Sequence, residues 1–256
     1  MLSAHRPGAV PTELRQTRVG TYTIHSEHAG TGPPVVLLHG LSGSRRWWRF
    51  TTPALAGRYR VHVPELIGFG GSRGARRLPD MPGMAQVLAE WLAAQGLDDV
   101  RLVGHSMGGQ IAVHVAARHV MPDRLVLVNP SGLPRVWSLR EAARWVAGAL
   151  PPRTWGAPTF VPTIAADALR TGPRRLLRAT RHLLTDDVTD LLPRVTCPTL
   201  VVWGELDPVL PREHSRLLAE RIPHARLVMV EGAAHNPMAD RPTEFNRVLL
   251  DFLDAP

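Results

Sequence analysis

Residues 100–117 read V-R-L-V-G-H-S-M-G-G-Q-I-A-V-H-V-A-A, and this stretch constrains the fold more than any other. Val100, Leu102 and Val103 read as a short buried strand. Ile111 to Ala117 reads as a helix that packs Ile111, Val115 and its alanines inward. Gly104-His105-Ser106-Met107-Gly108 joins the two and matches G-x-S-x-G. A serine hydroxyl is a weak nucleophile unless it is exposed, held still and set beside a base. A sharp strand-to-helix turn lifts that oxygen above a sheet and strains the serine backbone. Gly104 and Gly108 fall where a β-carbon would collide as strand and helix close together, and Gly109 adds room. The alternative is an ordinary glycine-bearing loop before a helix. The strand before it and the alanine-rich helix after it favour a nucleophile at Ser106.

In that setting the segment resembles the nucleophile elbow of the α/β-hydrolase family. The surrounding pattern agrees with such a fold. Val35-Val36-Leu37-Leu38 is an uninterrupted apolar run, as expected of a strand buried on both faces in a parallel sheet. Thr17 to His28 reads as two strands about the Gly20 turn, and Tyr59 to Val63 as another strand. Ser44 is placed to cap a helix carrying Trp47, Trp48 and Phe50, and Met84 to Gln95 has helical spacing. Further strands are expected at Arg124 to Val128, Thr199 to Trp203 and Arg226 to Val230. Helices are expected at Pro211 to Ile222 and Pro242 to Leu253. Strands alternating with helices give an α/β, doubly wound, mostly parallel sheet.

The alternation breaks between residues 131 and 195, where helical patterns replace strands. Ser138 to Leu150, Ile164 to Leu169, Pro173 to Leu184 and Asp186 to Leu192 read as helices. In the third, Leu176, Leu177, Thr180, Leu183 and Leu184 form the apolar side and Arg174, Arg178 and Arg181 the other. By the resemblance, 131–195 is a helical cap inserted into a hydrolase core of 14–130 and 196–256, with 1–13 a loose arm. Trp137 and Trp145 are candidate pocket linings, with core packing the alternative for each.

The net charge is +8, and all 30 basic residues are arginine. Abundant Ala, Pro and Gly point to coding bias, no nucleic-acid motif accompanies the charge, and none is expected as a partner. The cap holds ten arginines against five acids, Glu141, Asp167, Asp186, Asp187 and Asp190. A solvated helix face explains them, and a basic rim that draws in anionic substrates is the sharper alternative. The single cysteine, Cys197, rules out an internal disulfide and reads as a buried thiol. No apolar leader opens the chain and no run reaches membrane-spanning length, so a cytoplasmic protein without a membrane partner is expected.

A serine nucleophile requires a base and an orienting acid, and the family's chain order is Ser, Asp or Glu, then His. Asp207 sits just past a buried strand in G-E-L-D-P and matches the family's acid, with Glu205 the alternative. His235, in G-A-A-H-N-P after the last strand, matches the base, although Ala234 stands where the family more often has glycine. The oxyanion hole is expected from two backbone N–H groups, of Met107 after the nucleophile and of Leu41 in the H-G-L-S-G loop. His39 reads as structural, bonding loop backbone, His105 as a flanking histidine and His114 as a helix-surface one. No His/Cys/Asp cluster has metal spacing, and no cofactor is expected.

The resemblance therefore implies a carboxylesterase-like serine hydrolase acting on a small-molecule acyl substrate through an acyl-enzyme. Dehalogenases and epoxide hydrolases of this fold use an aspartate nucleophile, against Ser106. Similar carbon–carbon bond hydrolases carry Asn before the serine and Trp after the histidine, where this chain has His105 and Asn236. Lactonase, thioesterase and cofactor-free perhydrolase activity stay open, as does a ligand sensor that keeps the triad.

Overall fold

The computed structural model describes residues 10–74, 77–134 and 156–255. Eight strands form one sheet: β1 (Thr12–Val19), β2 (Tyr22–Ala29), β3 (Pro34–Leu38), β4 (Arg60–Pro64), β5 (Arg101–His105), β6 (Arg124–Val128), β7 (Thr199–Gly204) and β8 (Ala225–Val230). Their order is β1-β2-β4-β3-β5-β6-β7-β8. β1 and β2 pair antiparallel, β2 meets β4 antiparallel, and every later pairing is parallel.

Among the described residues six longer helices accompany the sheet: α1 (Met81–Ala94), α2 (Met107–Arg118), α3 (Val161–Thr171), α4 (Pro173–Thr185), α5 (Glu213–Arg221) and α6 (Pro242–Leu253). The central strands have no polar face because both faces are covered. Val36 and Leu38 enter one apolar layer with α1 and α2 residues such as Trp91 and Ile111. Val35 and Leu37 enter the other, with Trp48, Phe245 and Leu249. Alternation along each strand feeds the two layers in turn, so the sequence reads as a solid apolar run.

After β3 the chain moves outward to β4, and after β5 it moves the other way to β6. The point where strand order reverses thus lies between β3 and β5. Ligand crevices form there in open parallel sheets, beyond the carboxyl ends of the strands.

Several expectations need correction. The first strand starts at Thr12 and not at Thr17, and so includes Thr12 and Glu13. Its sequence is too polar for an apolar period to show, yet its backbone pairs along the whole of β2. α1 starts a turn before Met84 because the Asp80 side chain accepts from the Gly83 N–H at 2.9 Å. Ser44 precedes only a 3-10 turn, Arg45–Trp48, and makes no cap hydrogen bond.

The segment between β6 and β7 holds α3, α4 and a 3-10 turn at Thr189–Arg194, and no strand among the described residues. The helix read at Ser138 to Leu150, and Trp137 and Trp145, lie outside the described residues. α4 is rotated from the expected face: Ala179 is its buried residue, while Leu177 is 73% and Leu184 59% exposed. His114 is buried, not on the helix surface, with Nε2 2.7 Å from the Asp186 carboxylate. No helix among the described residues is long and apolar enough to cross a membrane.

Candidate active site

Five loops converge at the carboxyl edge of the sheet. The turn from β5 into α2 carries Ser106, whose φ of 50° and ψ of −115° lie in a strained region. Backbone bonds on both sides hold it. The Ser106 N–H donates to the Val128 carbonyl at 2.9 Å, and its own carbonyl accepts from Gly109 and Gln110 at 2.9 and 3.1 Å. The glycines serve as their spacing suggests. A β-carbon at Gly104 would lie 2.5 Å from the Gly108 carbonyl oxygen, and one at Gly108 2.6 Å from that of His39. Ser106 occupies the N-cap position of α2 but makes no cap bond, which leaves its hydroxyl directed elsewhere.

That hydroxyl lies 3.1 Å from His235 Nε2. His235 Nδ1 lies 2.9 Å from Asp207 Oδ2. Residues 106, 207 and 235, read separately from the sequence, are therefore in one hydrogen-bonded row. The consistent arrangement is an Nδ1–H donating to Asp207 and an unprotonated Nε2 accepting from Ser106.

Asp207 is 1% exposed in its side chain. Burial alone would raise its carboxyl pKa, but its electrostatic interaction and hydrogen bond with the His235 ring hold it below the ordinary range. The Val209 and Leu210 N–H groups at 2.7 and 3.1 Å and the Asn129 amide support it further. Asp207 thus stays ionised beside the imidazole. Glu205, the alternative acid, is exposed and accepts from the Gly232 N–H at 3.2 Å, away from His235.

Three residues outside the expected set fix these groups. Asn129, at the end of β6, donates its amide to Asp207 and accepts the Gly204 N–H at 3.1 Å. His105 donates Nε2–H to the His235 carbonyl at 2.9 Å, and its complete burial pulls its pKa down to about 3. Asp240 accepts from the Ala234 and Asn236 N–H groups at 2.9 and 3.3 Å and from that of Ala157 at 2.7 Å. The positive φ of Asn129, 41°, has no signature in the surrounding letters. His105 is legible only as the neighbour of the serine.

The loop after β3 brings Leu41 to the same edge. Buried His39 anchors it, with Nδ1–H donating to the Gly40 carbonyl at 2.8 Å and Nε2 accepting the Leu66 N–H at 3.0 Å. This is the structural role expected of that residue. Met107 is the first residue of α2, so its N–H has no acceptor within the helix. A cavity of about 520 Å³ opens over Ser106 and His235. Leu41, Trp47, Leu133, Leu183, Leu184 and Leu210 give it an apolar wall, and Ser131 and Thr180 supply hydroxyls. Among the described residues no arginine lines it.

The chain is similar to known proteins in sequence and fold. The family model described as "Alpha/beta hydrolase family" matches residues 35–248. The chain is 31% identical to a pimeloyl-[acyl-carrier protein] methyl ester esterase of Aeromonas hydrophila, over 90% of this chain and 99% of that one. Its fold is similar to a thermophilic esterase from Thermogutta terrifontis, with a TM-score of 0.81 and 27% identity, covering 94% of this chain and 98% of that one. It is also similar to Est816, described as an N-acyl homoserine lactone degrading enzyme, with a TM-score of 0.81, 25% identity and coverage of 93% and 100%.

Proposed function

The chain belongs to the alpha/beta hydrolase family, and from that premise we propose that it is a serine hydrolase cleaving a carboxylic ester of a small molecule through an acyl-enzyme. One observation carries this reading: Ser106 Oγ, the His235 ring and the Asp207 carboxylate stand in sequence at 3.1 and 2.9 Å. The relatives' esterase activity supports an ester or related bond as the target.

In the proposed reaction Ser106 Oγ attacks the carbonyl carbon while His235 Nε2 takes the hydroxyl proton. Asp207 holds the imidazole in the acceptor tautomer and stabilises the imidazolium that forms. The carbonyl oxygen becomes an oxyanion within reach of the Met107 and Leu41 N–H groups, each worth about 10²–10³-fold in rate at such sites. His235 returns its proton to the leaving alcohol, leaving an ester on Ser106. Water then enters, His235 removes its proton, and the acid departs with Ser106 restored. The inserted helices form a cap over this site, and the apolar wall receives the acyl group.

Labelling with a fluorophosphonate tests the reading. An adduct on the Ser106 peptide, lost in Ser106→Ala together with turnover of p-nitrophenyl esters, is the expected result. Undiminished turnover in Ser106→Ala would refute it.

A further inference from the structure

Asp167 belongs to α3 in the inserted segment, and its side chain is only 3% exposed. The sequence places it among solvated cap acids, but the structure turns it inward. A buried carboxylate is costly unless several donors satisfy it. Here most of those donors come from one short stretch more than a hundred residues away. The Ser44 hydroxyl donates to Oδ2 at 2.8 Å and the Trp47 indole N–H to Oδ2 at 3.1 Å. The Arg46 guanidinium donates to Oδ1, and Arg170 lies 3.6 Å from the same oxygen.

Ser44 closes the loop that carries Leu41. The other end of the loop is fixed by His39 through Gly40 and Leu66. Between them Ser42 is held at a φ of 64°, a conformation a serine does not choose freely. Trp47 is a cavity wall, its ring 5.6 Å from that of His105 and 5.6 Å from that of Phe160. The Asp167 carboxylate therefore ties the inserted helix to both the oxyanion loop and the pocket wall.

We infer that Asp167 is a positioning residue: it holds the Leu41 N–H and the Trp47 ring in register with Ser106, so that the seating of α3 sets the competence of the oxyanion hole. This rests on the serine-hydrolase reading above. The carboxylate touches no reacting atom. Its effect passes through Ser44, Arg46 and Trp47.

Asp167→Asn keeps the shape and removes the charge. The expected result is a fall in kcat on a p-nitrophenyl ester of about tenfold or more, with KM within about threefold. The Ki of a boronic acid, whose tetrahedral serine adduct places an oxygen in the oxyanion hole, rises by a similar factor. A residue that merely supports the fold would lower the Tm and the titre of active sites, but would leave kcat per titrated site and the boronate Ki unchanged. Should Asp167→Asn fail to fold, Ser44→Ala and Trp47→Phe each remove one donor, and each gives a smaller fall with the same kcat and Ki pattern. Arg170→Gln, which alters an exposed partner, stays within about twofold of wild type. A wild-type chain that takes no fluorophosphonate at Ser106 overturns the hydrolase reading and this inference together. Labelling at Ser106 with unchanged kcat and Ki in the folded variants overturns the positioning role alone.

Discussion

The turn that carries Ser106 and the helices inserted after β6 face each other across the cavity, and different forces hold them. The turn is fixed by backbone. Gly104 and Gly108 let strand, helix and β3 loop approach so closely that a β-carbon would fall within 2.6 Å of a carbonyl oxygen. All of α2 from Met107 to Ala116 is buried. The inserted helices are fixed by side chains. Asp167 joins α3 to the Ser44–Trp47 stretch, and Asp186 joins the end of α4 to Gln110 and His114 at 2.7 Å each. Leu169, Leu177 and Leu184 are exposed. Close packing of backbone fixes the turn, whereas among the described residues side-chain ties across elements distant in sequence seat α3 and α4. On the proposed reading, the chemistry belongs on the first and the choice of substrate on the second.

The sharpest test of this contrast lies on the sheet side. Asp207→Asn leaves the imidazole without its acceptor and favours the wrong tautomer. It lowers kcat by about 10³–10⁴-fold with little change in KM. Steady-state kinetics on a p-nitrophenyl ester measure this, and a loss below tenfold would place the orienting acid elsewhere. Gly108→Val follows. Its side chain meets the Leu38 and His39 carbonyl oxygens at 2.7 and 2.6 Å, and backbone cannot yield as a side chain does. Destabilisation of about 4 kcal/mol or more is expected in urea denaturation.

Acid separates the two regions next. His28, His62 and His105 lie in the sheet, and burial pulls their pKa values down to about 4, 3 and 3. The unfolded chain takes up these protons from about pH 6.5 downward, while the folded chain resists until pH 3 to 4. Stability is thus full above pH 6.5 and falls through that window, by at most about 1.4 kcal/mol per pH unit for each histidine. His62→Leu flattens the slope. The tie between the end of α4 and α2 behaves otherwise. Burial would raise the Asp186 pKa, but bonds from His114 and Gln110 hold it below the ordinary carboxylate range, so that tie weakens only as pH falls below that range. Urea midpoints at stepped pH, with and without His62→Leu, test both halves.

Smaller effects complete the comparison. Asn129→Ala deprives Asp207 of one donor and frees the Gly204 N–H, for a loss of about tenfold in kcat and about 1–2 kcal/mol in stability. Leu177→Ser, on the exposed face of α4, shifts stability by no more than about 0.5 kcal/mol. A large loss there would show that a further element covers this helix.

The same division explains what the letters reveal. The central strands and the elbow are legible because burial on both faces and close backbone contact restrict residue type, and Asp207 and His235 because they match the order and context of the family's acid and base. The polar strand β1 is not, because cross-strand backbone bonds carry no side-chain signal. The face of α4 is misread because Leu177 and Leu184 are apolar yet exposed. Asn129, His105 and Asp240 escape because their value lies in bonds to residues distant in sequence. Asp167 escapes for the same reason, having the composition of a surface helix and the environment of a core.

Trapping the intermediate tests the central claim most directly. A p-nitrophenyl ester is mixed with enzyme, quenched in acid within the first turnover, and the peptides are weighed. The account predicts an acyl group on Ser106, a burst of one p-nitrophenol per chain, and neither in Ser106→Ala. An acyl group on another residue, or full turnover in Ser106→Ala, would contradict it.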